Sequence, residues 1–328
     1  MSVFFVLACF LIVVDRDALL DNESYKEYFR GDRLGDVLDL VRDDPSLVTV
    51  VIALFSEEMI WALLAKVLSG FFSPELSVYL LSLLVNLFVL FGCLKTDKPI
   101  VAALLWVVIP VGFSIIGLFQ LRQGFAYSLF LYGVYHHRPG KIGLLSCGIH
   151  TTLVIPYLFF LVDLLLRRTK SWMPGVLCAA ALSVGMASAG GYFFEMFGGR
   201  RLATYDIGGG AESVNYVISS LIFLGFFLSS YVYHHRRNNV AERICSLAGI
   251  GVASFVIVSF YVFPLGTARI GYFLMLFALP LLASSGALKV SRCNEPRVAW
   301  GLMVVLFIGY QVIKSIATAS YWSAWGGA

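Results

Sequence analysis

Charge is scarce in this 328-residue chain. Only 13% of residues are charged, against 59% hydrophobic and a mean hydropathy of +0.84. A soluble domain carries about 25% charged residues, so a soluble globular class is excluded. Histidine is scarcer still, with five in all, and four of them form the loop pairs His136-His137 and His234-His235. The six cysteines (Cys9, Cys93, Cys147, Cys178, Cys245, Cys293) are scattered, and no pair has metal-ligand spacing. That argues against a zinc site or a disulfide framework. There is no Gly-Lys-Ser/Thr phosphate loop and no strand-borne dinucleotide fingerprint, so nucleotide chemistry has no motif to stand on. No basic stripe interleaves with aromatics, which leaves no nucleic-acid face, and no fixed-period repeat is present.

What is present is apolar sequence. Runs of about 20 residues recur from end to end, the length that spans a bilayer as a helix. The expectation is one all-α, polytopic transmembrane domain over 1–328. Its spans are expected near 2–14, 47–72, 76–94, 99–118, 121–136, 142–166, 172–197, 213–233, 244–264, 268–288 and 298–317, about eleven. The first run lacks a basic leader and a small-residue cleavage site, so it is expected to stay as helix one. Arg167–Lys170, His234–Arg237 and Lys289–Arg297 mark cytoplasmic ends by the positive-inside rule, which puts the Gly-rich stretch 198–212 and Gly266–Arg269 outside. The 142–166 run is basic at both ends, which permits either one tilted crossing or a broken pair turning near His150.

Acidic residues are unevenly spread. Twelve of the twenty lie before position 60, most of them in a polar first loop over 15–46. Within it, 36–43 has Val37, Leu38, Leu40 and Val41 on one side, as expected of a short amphipathic helix lying on the membrane surface.

Six places carry candidate chemistry. Asp15-Arg16-Asp17 follows helix one, where two carboxylates flanking a guanidinium either organise a diphosphate site or are a solvated helix end. Glu57-Glu58 either lies inside an apolar run, where a carboxylate becomes a tuned base, or starts the run as helix N-terminal acids. Arg122, with Gln123, heads the helix LRQGFAYSLFLYGVY; its planar fork suits phosphate oxygens, or it snorkels to the interface. His150 sits well inside the next apolar run beside Thr151 and Thr152, either as a base or as a satisfied structural group. Arg269 in FPLGTARIGYF is expected to head a helix after a break at Pro264 and Gly266, with Tyr272 one turn along. Arg200, Arg201 and Tyr205 lie in the Gly-rich loop, whose Gly208–Gly210 either lets it open and close or merely connects. Carboxylates together with several arginines suit transfer of a group from a lipid-linked phosphate or diphosphate, with arginines stabilising the leaving charge.

These residues also resemble a family. L-R-Q-G-F-A at Leu121–Ala126 is similar to the LRQ-x-x-A helix start of the EpsG/Wzy-type bacterial polysaccharide polymerases. The basic turn His136–Lys141, followed by an apolar run ending in Ile149-His150, resembles their downstream element. The acidic first loop with Asp17, Tyr25 and Tyr28, then Glu57 of SEEMIWALL, resembles their E-P-x-F helix start, with Glu58 standing where the family usually has proline. Arg269–Phe273 resembles their late R-x-x-YF. The acidic pair after the first helix also resembles the first outer loop of integral-membrane, lipid-sugar-dependent glycosyltransferases.

The resemblance implies a GT-C-like helical bundle in the bacterial plasma (inner) membrane. It implies an O-antigen or exopolysaccharide polymerase that joins oligosaccharide repeat units carried on undecaprenyl diphosphate at the outer face. No cofactor is implied; arginines serve as the charge clamp, with Asp15 and Asp17 keeping a metal open. Arg122 and Arg269 are implied to hold the diphosphate, and Glu57 or His150 to take the acceptor proton. Arg200 and Arg201 of the Gly-rich loop are expected to help grip the sugar chain. The implied partners are the lipid-linked oligosaccharide and the bilayer, with a chain-length regulator and a flippase of the same pathway. Two other classes compete: a lipid-linked oligosaccharide flippase, which would use the same arginines without making a bond, and a membrane O-acyltransferase using His150.

Overall fold

In the computed structural model, residues 22–47, 49–50, 53, 58–109, 111–169, 171–197, 210–237, 239–262, 264–284 and 296–317 are described. Every regular element among them is helical. Five helices there are long and apolar enough to cross a membrane: Pro74–Cys93, Met173–Gly190, Val217–Arg237, Val240–Val262 and Pro296–Ile313. A sixth span forms if Pro99–Val108 and Val111–Phe119, bent by 73°, count as one. Shorter apolar helices run Met59–Phe71, Thr151–Leu166 and Ile270–Leu282. The chain is therefore a multi-pass membrane protein. The expected first helix, 2–14, lies outside the described residues.

Two compact units divide the chain, one of 1–95, 103–154 and 311–328, the other of 96–102 and 155–310. The first begins with α1 (Asn22–Arg30) and α2 (Arg33–Asp43). The polar first loop is thus largely helical. Its expected 36–43 helix starts earlier, because the Asp32 side chain accepts from the Gly35 N–H (3.3 Å) and caps it there. On α2, Val37 is buried while Leu38 and Leu40 stay exposed, so the apolar side is half used in packing. α1 packs on α3 (Met59–Phe71) and α4 (Pro74–Cys93), and α2 packs on α3.

α5 (Pro99–Val108) gives way to a π-helix over Val111–Phe119, in which the Gln120 N–H reaches back five residues to the Ile115 carbonyl (2.7 Å). The expected continuous 99–118 helix is therefore broken. Pro110 lies at the junction, where it lacks an N–H and disfavours helix in the residue before it. A polar knot inside this apolar region pins the π-helix to α4. Trp106 Nε1 donates to Asn86 Oδ1 (2.8 Å), Ser82 Oγ donates to the Gly117 carbonyl (2.9 Å), and Asn86 Nδ2 donates to the Ser82 carbonyl (2.8 Å). Where no water is at hand, such bonds between helices have few competitors.

α6 (Leu121–Tyr135) follows at once, and Arg138 precedes α7 (Pro139–Ile149). Of the two readings open for 142–166, an unbroken helix does not hold. His150 has extended backbone (φ −151°, ψ 121°), ending α7 before a 3₁₀ turn at Thr151–Leu153 and α8 (Val154–Leu166).

The second unit is built on α9 (Met173–Phe197), α10 (Gly210–Arg237), α11 (Val240–Val262) and α12 (Pro264–Leu282), with most of α13 (Pro296–Ala317). Arg243 of α11 makes a bidentate ion pair with Asp163 of α8, Nε to Oδ1 at 2.7 Å and Nη2 to Oδ2 at 3.0 Å, both side chains 4% exposed. α11 ends at Val262 and α12 starts at Pro264, so the expected break falls at Pro264, but the new helix begins there and Arg269 lies in its second turn instead of at its head. Of the Gly-rich stretch, 198–209 lies outside the described residues and Gly210–Glu212 already belong to α10.

Candidate functional site

The acid that matters in the first unit is Glu58, immediately before α3. Its side chain is fully buried. Its backbone is left-handed (φ 54°, ψ 50°), a conformation that costs an L-residue about 1–2 kcal/mol. Strain of this kind persists only where the surroundings over-determine it, and it collects at functional sites. Here the surroundings include two side chains. Arg122 Nη1 donates to Glu58 Oε2 (2.6 Å), and His150 Nδ1 bonds Glu58 Oε1. One carboxylate thus uses both oxygens to join residues from three separate stretches of chain.

Local structure aims each partner. The close approach of α6 to the π-helix needs Gly124, because a Cβ there would lie 2.1 Å from the Ile116 carbonyl oxygen. That contact fixes the start of α6, with Leu121 and Ala126 fully buried and Arg122 turned toward Glu58. α7 comes equally close to α3 at Gly148, where a Cβ would meet Ile60 Cδ1 at 2.3 Å. Two residues on, the helix ends and the extended backbone of His150 carries its ring to the start of α3.

An aromatic wall closes the other side. Trp61, one turn into α3, is fully buried against Tyr25, Tyr28 and Phe29 of α1, with centroids 6.2–6.4 Å away. Tyr28 lies under the Arg122 guanidinium, 5.6 Å from Cζ to centroid, and the Tyr25 hydroxyl approaches the Arg122 N–H at 3.5 Å. Exposure grades outward through the triad: the side chain of Glu58 is 0% exposed, that of His150 10% and that of Arg122 29%.

The chemistry follows from these facts. With Arg122 Nη1 donating to one carboxylate oxygen of Glu58 and His150 Nδ1 bonded to the other, the second ring nitrogen of His150, Nε2, is left on the side away from the acid. That is the orientation of a base held in one tautomer by an acid behind it. Arg122 spends Nη1 on Glu58 and, being the most exposed of the three, has further donors in its fork for an oxyanion.

Of the residues expected from sequence, Arg122 and His150 are brought together. Gln123 is buried, and its Nε2 has no hydrogen-bond partner among the described residues. Arg269 and Tyr272 lie on α12 of the second unit. Asp15, Arg16, Asp17, Glu57, Arg200, Arg201 and Tyr205 lie outside the described residues. Sequence reasoning set Glu57 in the proton-acceptor role and not its neighbour Glu58. Its two readings of the acidic pair each hold in part for Glu58: the helix starts there, and the carboxylate is nevertheless buried. Trp61 was missed, and so was Asp163, a lone acid in the run VIPYLFFLVDLLL that was itself the available signal.

No curated protein and no solved structure matches the chain. The profile of the EpsG family matches residues 1–325. With the match covering nearly the whole chain, and with the start of α6 and His150 meeting at Glu58, this protein belongs to the EpsG family.

Proposed function

We propose that this chain is a polysaccharide polymerase of the bacterial plasma membrane. It joins oligosaccharide repeat units carried on undecaprenyl diphosphate at the outer face, on a GT-C-like bundle that reaches about eleven spans once the remaining runs are counted. Membership in the EpsG family supports the polymerase class. The observation that carries the chemistry is the single buried carboxylate of Glu58 holding both Arg122 and His150.

In this reading the acceptor hydroxyl approaches His150 Nε2. Its oxygen attacks the anomeric carbon of the donor, its proton passes to Nε2, and the C–O bond to the lipid diphosphate breaks. The electron pair leaves with the diphosphate, and Arg122 stabilises the charge that gathers there. Glu58 touches neither substrate. It keeps His150 in the productive tautomer and balances the imidazolium that forms. Arg269 is assigned to the diphosphate as well, and Arg200 and Arg201 to the emerging sugar chain. The outward gradient of exposure fits this division, since the two residues that must meet substrate are the two that solvent reaches.

The test is a reaction of purified protein with a synthetic lipid-linked repeat unit. A ladder of lengthening products is expected. His150→Gln is expected to lower kcat about 10²–10⁴-fold, the usual contribution of a positioned base, with KM for the donor little changed. Transfer of lipid-linked units across a vesicle membrane without any ladder would reject the polymerase in favour of a flippase. Full turnover by His150→Gln would remove the histidine from the mechanism.

A further inference from the structure

The Tyr28 ring gathers two arginines. Arg122 Cζ lies 5.6 Å from its centroid, and Arg33 Cζ, from the first turn of α2, lies 5.7 Å from the same point. The guanidinium carbons can be no farther apart than these two legs together. Trp61 backs the ring, its centroid 6.2 Å away and its side chain fully buried, so the platform is rigid.

Both arginines are also referenced to α3. Arg122 is tied to its start through Glu58 (2.6 Å). The segment carrying Arg33 is tied to its later turns through Asp32, which pairs with Lys66 Nζ at 3.1 Å. The two cations therefore share one ring as a common neighbour.

Among the described residues, the negative charge near this ring is already committed. Glu58 shares its carboxylate between Arg122 and His150. Asp32 is held by Lys66 and the Gly35 N–H. Asp36 reaches Arg33 only at 3.9 Å, with both side chains about half exposed or more (48% and 72%), a contact worth little in water. Two guanidiniums near one ring repel each other, and an anion with two charged groups would relieve both.

We propose that Arg33 is a second cation of the donor site, so that the diphosphate of the lipid-linked donor bridges Arg33 and Arg122 across Tyr28. This rests on the polymerase reading above. A cation on an aromatic face keeps its fork planar and pre-oriented, which suits two adjacent phosphates better than one. The site distinguishes diphosphate from monophosphate by offering two guanidiniums where a single phosphate engages one, and Arg33 acts as a binding residue with no part in proton transfer.

The experiment measures binding of undecaprenyl diphosphate and of undecaprenyl monophosphate to the purified full chain in detergent. Arg33→Ala is expected to weaken the diphosphate lipid about tenfold, the scale of one charge-assisted hydrogen bond, and to leave the monophosphate lipid within error. Tyr28→Leu should give the same selective loss, and Arg33→Lys, which keeps the charge without the fork, an intermediate one. Arg33 is half exposed, so its variants should fold, and unchanged thermal unfolding verifies that. Equal weakening of both lipids, or of neither, overturns the bridge. Wild-type protein that shows the discrimination but makes no ladder from a lipid-linked repeat unit overturns the polymerase reading and leaves the bridge standing.

Discussion

Replacing Glu58 with Gln keeps the shape of the side chain and removes its charge. Arg122 then loses its counter-ion at 2.6 Å, at a site where the acid is fully buried and the arginine side chain 29% exposed. Removing one partner of a fully buried pair costs about 3–5 kcal/mol. The partial exposure of Arg122 lets water recover some of this, which places the loss at about 3 kcal/mol. For a chain of this size about 2 °C of Tm corresponds to 1 kcal/mol, so a fall of about 6 °C is expected. Removing the orphaned cation should restore part of it: Glu58→Gln combined with Arg122→Met is expected to be more stable than the sum of the single effects by about 2 kcal/mol. The measurement is thermal unfolding of purified protein at a fixed heating rate, followed by tryptophan fluorescence, to which Trp61 beside the pair contributes. A loss of under about 1 °C for Glu58→Gln, or single effects that add within about 0.5 kcal/mol, refutes the claim that this carboxylate organises the site.

Three further outcomes are expected. Glu58→Gly and Glu58→Ala both remove the carboxylate, but only glycine relaxes the φ of 54°; the glycine variant should be the more stable by about 1–2 kcal/mol, and equal Tm values would show that the backbone is not strained. Gly124→Ala forces a Cβ to within 2.1 Å of a backbone oxygen; it should cost about 1–3 kcal/mol or more and lower polymer formation through misplacement of Arg122, and a wild-type Tm would refute the close approach. The Asp32 carboxyl is held below its ordinary 3.8, first by its bond from Lys66 and then by that from the Gly35 N–H. A depressed acid contributes its stability above the unfolded pKa and loses it as pH falls through the lower folded value. The Tm gap between wild type and Asp32→Asn should therefore be constant at neutral pH and close as the pH drops below about 3.8; a gap that persists at pH 2 contradicts the assignment.

Much of the site was legible because it is costly. A guanidinium and an imidazole in apolar sequence need partners, and Arg122 and His150 found the same one. The acidic pair shows where that logic stops. Adjacent acids have the same charge and nearly the same hydropathy, and it is the left-handed turn into α3 that carries Glu58 inward. The break at His150 could be posed but not settled, since Ile149, His150, Thr151 and Thr152 do not forbid helix. The π-helix left no mark beyond Pro110, because a run as uniformly apolar as VGFSIIGLF offers apolar residues to the core at either pitch. Tyr28 and Trp61 could be read as aromatic, but not as neighbours, for they come together only when two short helices separated by loops fold onto each other. The multi-pass class was the easiest to read, since runs of about 20 apolar residues suit a bilayer, but of the roughly eleven expected spans five, or six with the bent pair, have the length and apolarity of a crossing among the described residues.

The π-helix has a consequence for which changes this chain tolerates. Its wider turn takes up about one residue more than an α-turn would, and each residue of an α-helix is rotated about 100° from the last. The segment between Trp106 and Arg122 is fastened at both ends, by the Asn86 knot and by Glu58. Deleting one residue from it would force a choice between unwinding the knot and turning Arg122 away from its acid. Exchanging one apolar residue for another of similar volume would force neither. The length of this stretch is thus constrained more tightly than its composition.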